Sequence, residues 1–263
     1  MQMRLGFVGV GAISAAVVDA LMTGPNAADL EIVLSPRNAE RSAKLTGQYP
    51  RTTVAANNQD VVDNCDVVFM GVLPGQMVDV CAELDFRADQ TVVSLIAGMP
   101  PTTVEPLVAP AATVAQMIPL PVIAMHAGPL VICPNVPSIV DLFEGCGEIV
   151  VLDDESKIFV LSCASASMST FFEFQNTVID WSTKNGLPRE VSHAYATSLY
   201  KGLATEAMNT PTAELDEMPR EHETPGGLNE HMRATMTAAG MFTELDKQLQ
   251  FIFETRNRAK KSD

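Results

Sequence analysis

The chain has 263 residues, of which 47% are hydrophobic and 19% are charged, so it can bury a large core and is not of the disordered class. A formal net charge of −15 repels nucleic-acid phosphates and anionic membrane surfaces, which excludes both as expected partners. The apolar runs are too short or too interrupted to span a bilayer, no signal-peptide pattern is visible, and the five cysteines are scattered. We therefore expect a cytoplasmic protein with free thiols.

Short apolar runs alternate with helix-like segments over the first part of the chain. We predict seven buried strands: Arg4–Val10, Glu31–Leu34, Asp66–Val72, Thr91–Ile96, Thr113–Met117, Leu130–Cys133 and Glu148–Leu152. Helices are predicted between several of them: Ala12–Met22, Ala39–Thr46, Asn57–Asn64 and Gln76–Leu84. Such alternation is typical of an α/β doubly wound parallel sheet.

The pattern changes after Asp153, where strand-like runs stop and long helical patterns begin. These patterns cover Glu155–Asn185, Pro188–Met208 and Gly227 to near Arg258, with a break expected at Gly240. The sequence therefore predicts an α/β domain over residues 1–153 and an all-α domain over residues 154–263.

A glycine-rich turn follows the first predicted strand. Gly9, Gly11 and Ser14 fit the pattern G-x-G-x-x-small, which in this context indicates a Rossmann-type dinucleotide-binding turn. Gly9 permits the tight turn, Gly11 lets a pyrophosphate approach the backbone, and Ser14 is small enough for close packing of helix on sheet. The helix start at Ala12 and Ile13 then faces the phosphates.

The end of the second strand indicates which dinucleotide binds. This strand, Glu31–Leu34, runs into Ser35-Pro36-Arg37-Asn38 and has no carboxylate at its C-terminal end for the ribose hydroxyls. A hydroxyl and a guanidinium suit a 2′-phosphate, so Ser35 and Arg37 favour NADP(H). The alternative is that Arg37 is a solvated surface residue and that either cofactor is tolerated.

Several segments together resemble the pyrroline-5-carboxylate reductase family. They are Leu5–Gly11, Ser35–Arg37, Cys65–Pro74 and Val92–Met99, followed by Gly186–Pro188, Tyr200–Gly202 and Thr224–Gly227. The resemblance implies a Rossmann-type domain followed by an all-α dimerisation domain, in a homodimer or higher homo-oligomer. It also implies reduction of a small, cyclic imine carboxylate with NAD(P)H, as in proline metabolism. The nicotinamide end of the cofactor would lie near Val72, Leu73, Pro74, Ala97 and Gly98.

The chain departs from the family on the substrate side. Leu73 stands where the family has lysine, Leu120 where it has a polar residue, and Leu228-Asn229 where it has a pair ending in threonine. We therefore expect a divergent member whose substrate pocket is less polar on one side.

The Pro225-Gly226-Gly227 loop is the strongest substrate-site candidate. Its glycines can expose backbone N–H groups at a helix start to a substrate carboxylate, so Gly226, Gly227, Leu228 and Asn229 are expected to bind substrate. Asn229 can hydrogen-bond the substrate and His231 can donate a proton to the imine nitrogen, which makes them the candidate catalytic residues. The alternative is a solvated helix start. Histidines and carboxylates show no metal-ligand spacing, so no metal is expected.

Two other functions remain open. A β-hydroxyacid dehydrogenase would share the two-domain layout, although its K-x-x-x-N helix is not matched, because Thr205 follows Lys201 at that spacing. A non-catalytic NADP-binding sensor would account for the altered family positions.

Overall fold

The computed structural model describes residues 3–260, and side chains up to residue 255. The chain forms two compact units, one ending at Phe159 and the other beginning at Val160. That division lies a few residues beyond the predicted domain boundary at 153/154.

The first unit contains an eight-stranded sheet. Its strands are β1 (Met3–Val8), β2 (Leu30–Leu34), β3 (Thr52–Val54), β4 (Val67–Met70), β5 (Thr91–Ser94), β6 (Thr113–Pro119), β7 (Pro129–Cys133) and β8 (Glu148–Val151). They are ordered β3-β2-β1-β4-β5-β6-β7-β8. Among the described residues, six α-helices lie in the connections between these strands: α1 (Ala12–Thr23), α2 (Ala39–Gln48), α3 (Asn58–Asn64), α4 (Met77–Ala82), α5 (Pro101–Val104) and α6 (Pro137–Leu142). This arrangement confirms the expected α/β class.

The sheet departs from the all-parallel expectation at one edge. β6 and β7 pair antiparallel, whereas β7 and β8 pair parallel, so the last two strands run opposite to the other six. The cause is the short connection over residues 120–128, because a parallel return needs a crossover of roughly a dozen residues. The longer connection through α6 gives β8 that length.

Side chains of the strands pack on both faces of the sheet. Phe7 of β1 stacks on Phe69 of β4 with ring centroids 4.7 Å apart, and Phe143 meets Phe69 edge-on. These three aromatic residues belong to one hydrophobic core. The neighbouring Val8 and Met70 belong to a second hydrophobic core on the opposite face of the sheet. Burial of both faces explains why these strands read as continuous apolar runs.

The second unit is helical, and one helix crosses the division between the units. The helices are α7 (Ser156–Ala164), α8 (Met168–Lys184), α9 (Arg189–Asn209), α10 (Met218–Glu221), α11 (Leu228–Ala238) and α12 (Met241–Lys260). The break expected at Gly240 is confirmed, since Gly240 has a φ of +82° between α11 and α12.

The prediction of one continuous helical stretch over Glu155–Asn185 is wrong. A 3₁₀ turn over Ser165–Ser167 separates α7 from α8. The Ser165 and Ser167 hydroxyls donate to the carbonyls of Leu161 and Ala164, at 3.0 and 2.8 Å. Such back-bonding by serine disturbs a regular helix.

The five cysteines are buried free thiols, which confirms that expectation. Within residues 3–260, no helix combines the length and apolarity needed to cross a membrane.

Candidate functional site

The glycine-rich turn lies where the strand order of the sheet reverses. β1 is flanked by β2 on one side and β4 on the other, so the loops after these strands diverge and leave a crevice between them. The turn Gly9–Gly11 leaves β1 here, and Gly71 leaves β4 beside it. The topology therefore puts the predicted dinucleotide turn at the usual ligand position of an open α/β sheet.

Gly9 and Gly71 allow these two loops to pack against each other. Gly9 has a φ of +90°, and a Cβ added to it would lie 2.7 Å from the Gly71 carbonyl oxygen. A Cβ on Gly71 would lie 2.7 Å from the Gly9 oxygen and collide with the Ser14 hydroxyl. Ser14 is buried and donates from Oγ to the Gly9 carbonyl at 2.7 Å. The predicted small residue at position 14 therefore also fixes the turn.

Gly11 differs from these two glycines because the protein leaves space around it. A Cβ there would meet only the Gly71 oxygen, at 3.8 Å. Gly11 is the N-cap of α1 and has no capping side chain, and the first N–H groups of a helix, here of Ala12, Ile13 and Ser14, have no partner within the helix. Space and donors together suit a phosphate group.

Ser35 sits behind the turn. It is fully buried, and its Oγ accepts a 3.0 Å hydrogen bond from the Gly9 N–H. In this conformation the hydroxyl is engaged by the protein and shapes the turn, whereas the sequence prediction gave it a phosphate contact.

Arg37 lies on the rim of a cavity of about 540 Å³ beside the turn. Its Nη1 donates to Gln76 Oε1 at 3.3 Å, so the guanidinium is held beside the loop after β4. The residues lining the cavity come from three loops and the start of α2: Gly9, Val10, Gly11, Arg37, Asn38, Ala39, Glu40, Gly71, Val72, Leu73 and Gln76. The sequence did not predict six of these lining residues: Val10, Asn38, Ala39, Glu40, Gly71 and Gln76.

Asn38 uses both ends of its side-chain amide. Oδ1 accepts from the Arg41 backbone N–H at 3.3 Å, which caps α2, while Nδ2 donates to the Val10 carbonyl at 3.2 Å. Arg41 Nη1 donates to the same carbonyl at 3.3 Å. Asparagine is a favoured residue at a helix N-cap, whereas the link to Val10 depends on how the loops meet.

The expected nicotinamide-end residues are only partly brought together. Val72 and Leu73 line the cavity, and Leu73 is 68% exposed. Pro74 begins a 3₁₀ turn beside them. Ala97 and Gly98 follow β5 outside the cavity lining, and Gly98 has a φ of +84° with open space at its Cβ position. The cavity thus collects Gly9, Gly11, Arg37, Val72 and Leu73 from the predicted cofactor set.

The predicted substrate loop of the second unit forms the N-terminus of α11. Gly226 has a φ of +72°, and its N–H donates to Glu230 Oε2 at 2.5 Å. Asn229 Nδ2 donates to the His222 carbonyl at 2.8 Å. Leu228 is 90% exposed, and His231 is exposed as well. In this conformation a carboxylate of the protein occupies the Gly226 N–H that was expected to hold substrate.

Gly227 is fixed by its own loop. Its N–H donates to the Thr224 carbonyl at 2.7 Å, and a Cβ added there would lie 2.8 Å from that oxygen. The glycine is therefore required by the turn before any ligand is considered.

Two side-chain pairs, Arg233–Glu223 and His222–Glu206, hold the segment that contains the predicted substrate loop. Arg233 grips Glu223 with two hydrogen bonds, which hold the pKa of the Glu223 carboxyl below its usual value. His222 lies between the Met218 carbonyl at 2.9 Å and Glu206 at 3.1 Å. The hydrogen bond to Met218 and the Glu206 charge raise the pKa of His222. Among the described residues, no three histidine, cysteine or carboxylate side chains gather as a metal site would require.

Comparison with known proteins gives matches over part and over nearly all of the chain. A family model described as NADP oxidoreductase, coenzyme F420-dependent, matches residues 4–98. Pyrroline-5-carboxylate reductase from Pseudomonas aeruginosa is 27% identical over 257 residues, covering 94% of this chain and 93% of the relative. The same enzyme from Escherichia coli is 22% identical and covers 80% of this chain and 81% of the relative.

Solved structures show the same fold. A pyrroline-5-carboxylate reductase from Coxiella burnetii superposes with a TM-score of 0.83 at 19% identity, covering 99% of this chain and 98% of the other. Plasmodium falciparum pyrroline carboxylate reductase with NADP bound gives 0.80 at 17% identity, covering 97% of each chain.

Proposed function

We propose that this chain, which is similar over most of its length to pyrroline-5-carboxylate reductases, is an NADPH-dependent oxidoreductase that reduces the C=N bond of a small imine. The observation that carries the proposal is the cavity beside the glycine turn, which joins an open glycine backbone to Arg37 at the end of β2. The similarity to the Pseudomonas aeruginosa enzyme supports the proposal as well, because it covers 94% of the chain and so extends into the helical unit.

The residues around the turn fit a phosphorylated dinucleotide. The open Cβ position of Gly11 and the N–H groups of Ala12, Ile13 and Ser14 suit the pyrophosphate. Arg37 suits the 2′-phosphate, because a guanidinium can form two parallel hydrogen bonds to it. Ser35 positions the turn from behind. Val72, Leu73, Pro74, Ala97 and Gly98 would lie toward the nicotinamide. When bound, NADPH supplies a hydride.

The chain's own task in the reaction is to orient the imine and supply a proton to its nitrogen. We assign the orientation to Gly226, Gly227, Leu228 and Asn229, and the proton to His231, because an imidazole can act as a general acid. Hydride addition to carbon and protonation of nitrogen give an amine. For a substrate carboxylate to reach the Gly226 N–H, the Glu230 carboxylate must first leave it.

The finer substrate assignment follows the family. It is a cyclic imine carboxylate, with pyrroline-5-carboxylate as the first compound to test, and its reduction would give the protein a role in proline metabolism. Leu73 in place of lysine leaves an apolar, exposed side chain in the cavity lining. We therefore expect bulkier cyclic imines to be accepted beside the family substrate.

The functional form is proposed to be a homodimer or a larger homo-oligomer. Among the described residues of the second unit, only Cys163, Ile179 and Ala196 are buried hydrophobic residues. Its large exposed apolar side chains include Phe172, Trp181, Tyr195, Met208, Phe242 and Phe251. A helical unit with so small a core and so much exposed apolar surface favours burial against another copy.

The test is NADPH oxidation with a panel of substrates. Pyrroline-5-carboxylate, an unsubstituted and a bulkier cyclic imine, and a keto acid with an amine are compared with oxidation of short hydroxyacids by NADP⁺. Reduction of any cyclic imine supports the proposal. Turnover of hydroxyacids alone would replace it with a hydroxyacid dehydrogenase, and NADPH binding without any turnover would favour a sensor.

A further inference from the structure

The turn Gly9-Val10-Gly11 is held by the segment that follows β2. The Gly9 N–H donates to Ser35 Oγ at 3.0 Å, and the Val10 carbonyl accepts from Asn38 Nδ2 at 3.2 Å and Arg41 Nη1 at 3.3 Å. Three side chains within seven residues therefore bond to two peptide groups of the turn. The position of the turn depends on the position of this segment.

Arg37 lies inside the same segment, between two of the residues that hold the turn. Its guanidinium donates to Gln76, and the adjacent Asn38 donates to the Val10 carbonyl; all four residues line the cavity. The residue that bonds to Gln76 and the residue that bonds to the turn are therefore joined by one peptide bond.

Resting on the proposed NADPH function, we propose that Asn38 is a positioning residue that couples recognition of the 2′-phosphate to binding of the pyrophosphate. Its Oδ1 fixes the start of α2, and its Nδ2 fixes the Val10 carbonyl. One planar amide thus sets the distance between the helix that follows Arg37 and the turn that contains Gly11. Pre-organisation of both sites lets each bound phosphate make its contacts without first ordering a loop.

Asparagine is suited to this role because its amide carries a donor and an acceptor in one plane. Serine is nearly as good an N-cap, so Asn38→Ser keeps the cap of α2 but removes the donor to Val10. Asn57 is the matched control. It caps α3 through Oδ1 and the Asp60 N–H at 2.9 Å, and it lies outside the cavity lining.

The experiment measures NADPH and NADH dissociation constants by titration, and thermal unfolding, for the unmodified chain, Asn38→Ser, Arg37→Met, the double variant and Asn57→Ser. We expect Asn38→Ser to weaken NADPH binding about tenfold, the effect of one lost contact that orders a binding site. Asn57→Ser should leave both dissociation constants unchanged, and both serine variants should unfold at similar temperatures.

The coupling itself is read from the double variant. Arg37→Met should weaken NADPH binding strongly in the unmodified chain and clearly less when Asn38 is already serine, since interacting residues give non-additive effects. Independent, additive effects, or unchanged NADPH affinity in Asn38→Ser, would overturn the coupling. Failure of the unmodified chain to bind NADPH would instead overturn the proposed function.

Discussion

At the scale of single residues, the three glycines of the crevice have different reasons to be glycine. Gly9 and Gly71 are required because their backbones are in contact, whereas the protein itself leaves room for a side chain at Gly11. Gly9 and Gly71 are therefore structural requirements, and we propose that a bound phosphate is the reason for Gly11.

This difference gives a prediction for two alanine variants. Gly11→Ala should change the free energy of unfolding by less than about 1 kcal/mol and weaken NADPH binding by at least about tenfold. Gly71→Ala should cost about 1–3 kcal/mol of stability through overpacking. Urea unfolding and NADPH titration measure both quantities, with Gly75→Ala as control because nothing lies within 4 Å of its added Cβ. Normal NADPH binding by Gly11→Ala would contradict the assignment of the turn.

A second residue-scale prediction concerns charge at the end of β2. Arg37→Glu should weaken NADPH binding by about 10- to 100-fold, the loss of a charge-assisted contact, and leave NADH binding nearly unchanged. Lys44→Glu makes the same charge change on the exposed side of α2 and serves as control. If both variants lose NADPH affinity equally, general charge rather than a contact at Arg37 is responsible.

At the scale of secondary-structure elements, the segment from α10 to α11 is held by charged pairs whose strength depends on pH. A raised His222 pKa means that protonated His222 is favoured in the folded state. Its stabilisation is fully present below the unfolded pKa of about 6.5 and is lost as pH rises through the folded pKa. The lowered Glu223 pKa acts in the opposite sense, because its contribution disappears as pH falls below 4.5 through the folded value.

We therefore predict that His222→Gln destabilises the chain at pH 6 more than at pH 9. The measurement is urea unfolding followed by the fluorescence of Trp181, the only tryptophan, which lies on α8 of the second unit. His193→Gln on α9 is the control, since no hydrogen bond of its ring is present among the described residues. A destabilisation that is equal at both pH values would show that the His222 contacts do not depend on its charge.

Most elements could be predicted because their signals are local. Apolar runs marked seven of the eight strands, and the glycine spacing marked the turn before α1. β3 was missed because Thr52–Val54 has three residues and only Thr52 is buried. The direction of β7 was missed because strand patterns carry no orientation.

The candidate site was less predictable because its contacts join distant segments. Residue types identified Gly9, Gly11 and Arg37, but the burial of Ser35, the link from Asn38 to Val10 and the bond from Glu230 to Gly226 depend on loop geometry. Because a Cβ added to Gly227 would contact Thr224, a Gly227→Val variant tests the structure of the loop before it tests carboxylate binding.

At the scale of the whole molecule, the exposed helices predict association. The pair Leu199→Lys and Leu203→Lys on α9 should convert a dimer into a monomer without loss of helicity, because both side chains are already partly exposed, at 40% and 39%. Light scattering gives the mass, and circular dichroism gives the helicity. Val78→Lys on α4 is the control on the first unit. A monomeric unmodified chain at micromolar concentration would refute the proposed assembly.

The net charge predicts how stability responds to salt. At −15 the chain repels itself, and raising NaCl from about 0.1 M to about 1 M shortens the screening length from roughly 10 to 3 Å. The melting temperature should rise over this range when measured without cofactor. A melting temperature that falls with salt would mean that the surface ion pairs outweigh the repulsion.

The segment after β2 contains both the proposed 2′-phosphate contact and the residues that hold the glycine turn. This arrangement limits how the cofactor preference of the protein could be re-engineered. Suppose that the Ser35–Arg41 segment were replaced by the corresponding segment of an NADH-preferring reductase. The exchange would replace Arg37, the residue proposed to bind the 2′-phosphate. It would also remove Ser35 and Asn38, whose hydrogen bonds hold the turn. Such a chimera should lose both cofactors instead of exchanging one for the other. A successful exchange has to alter Arg37 and leave its neighbours in place.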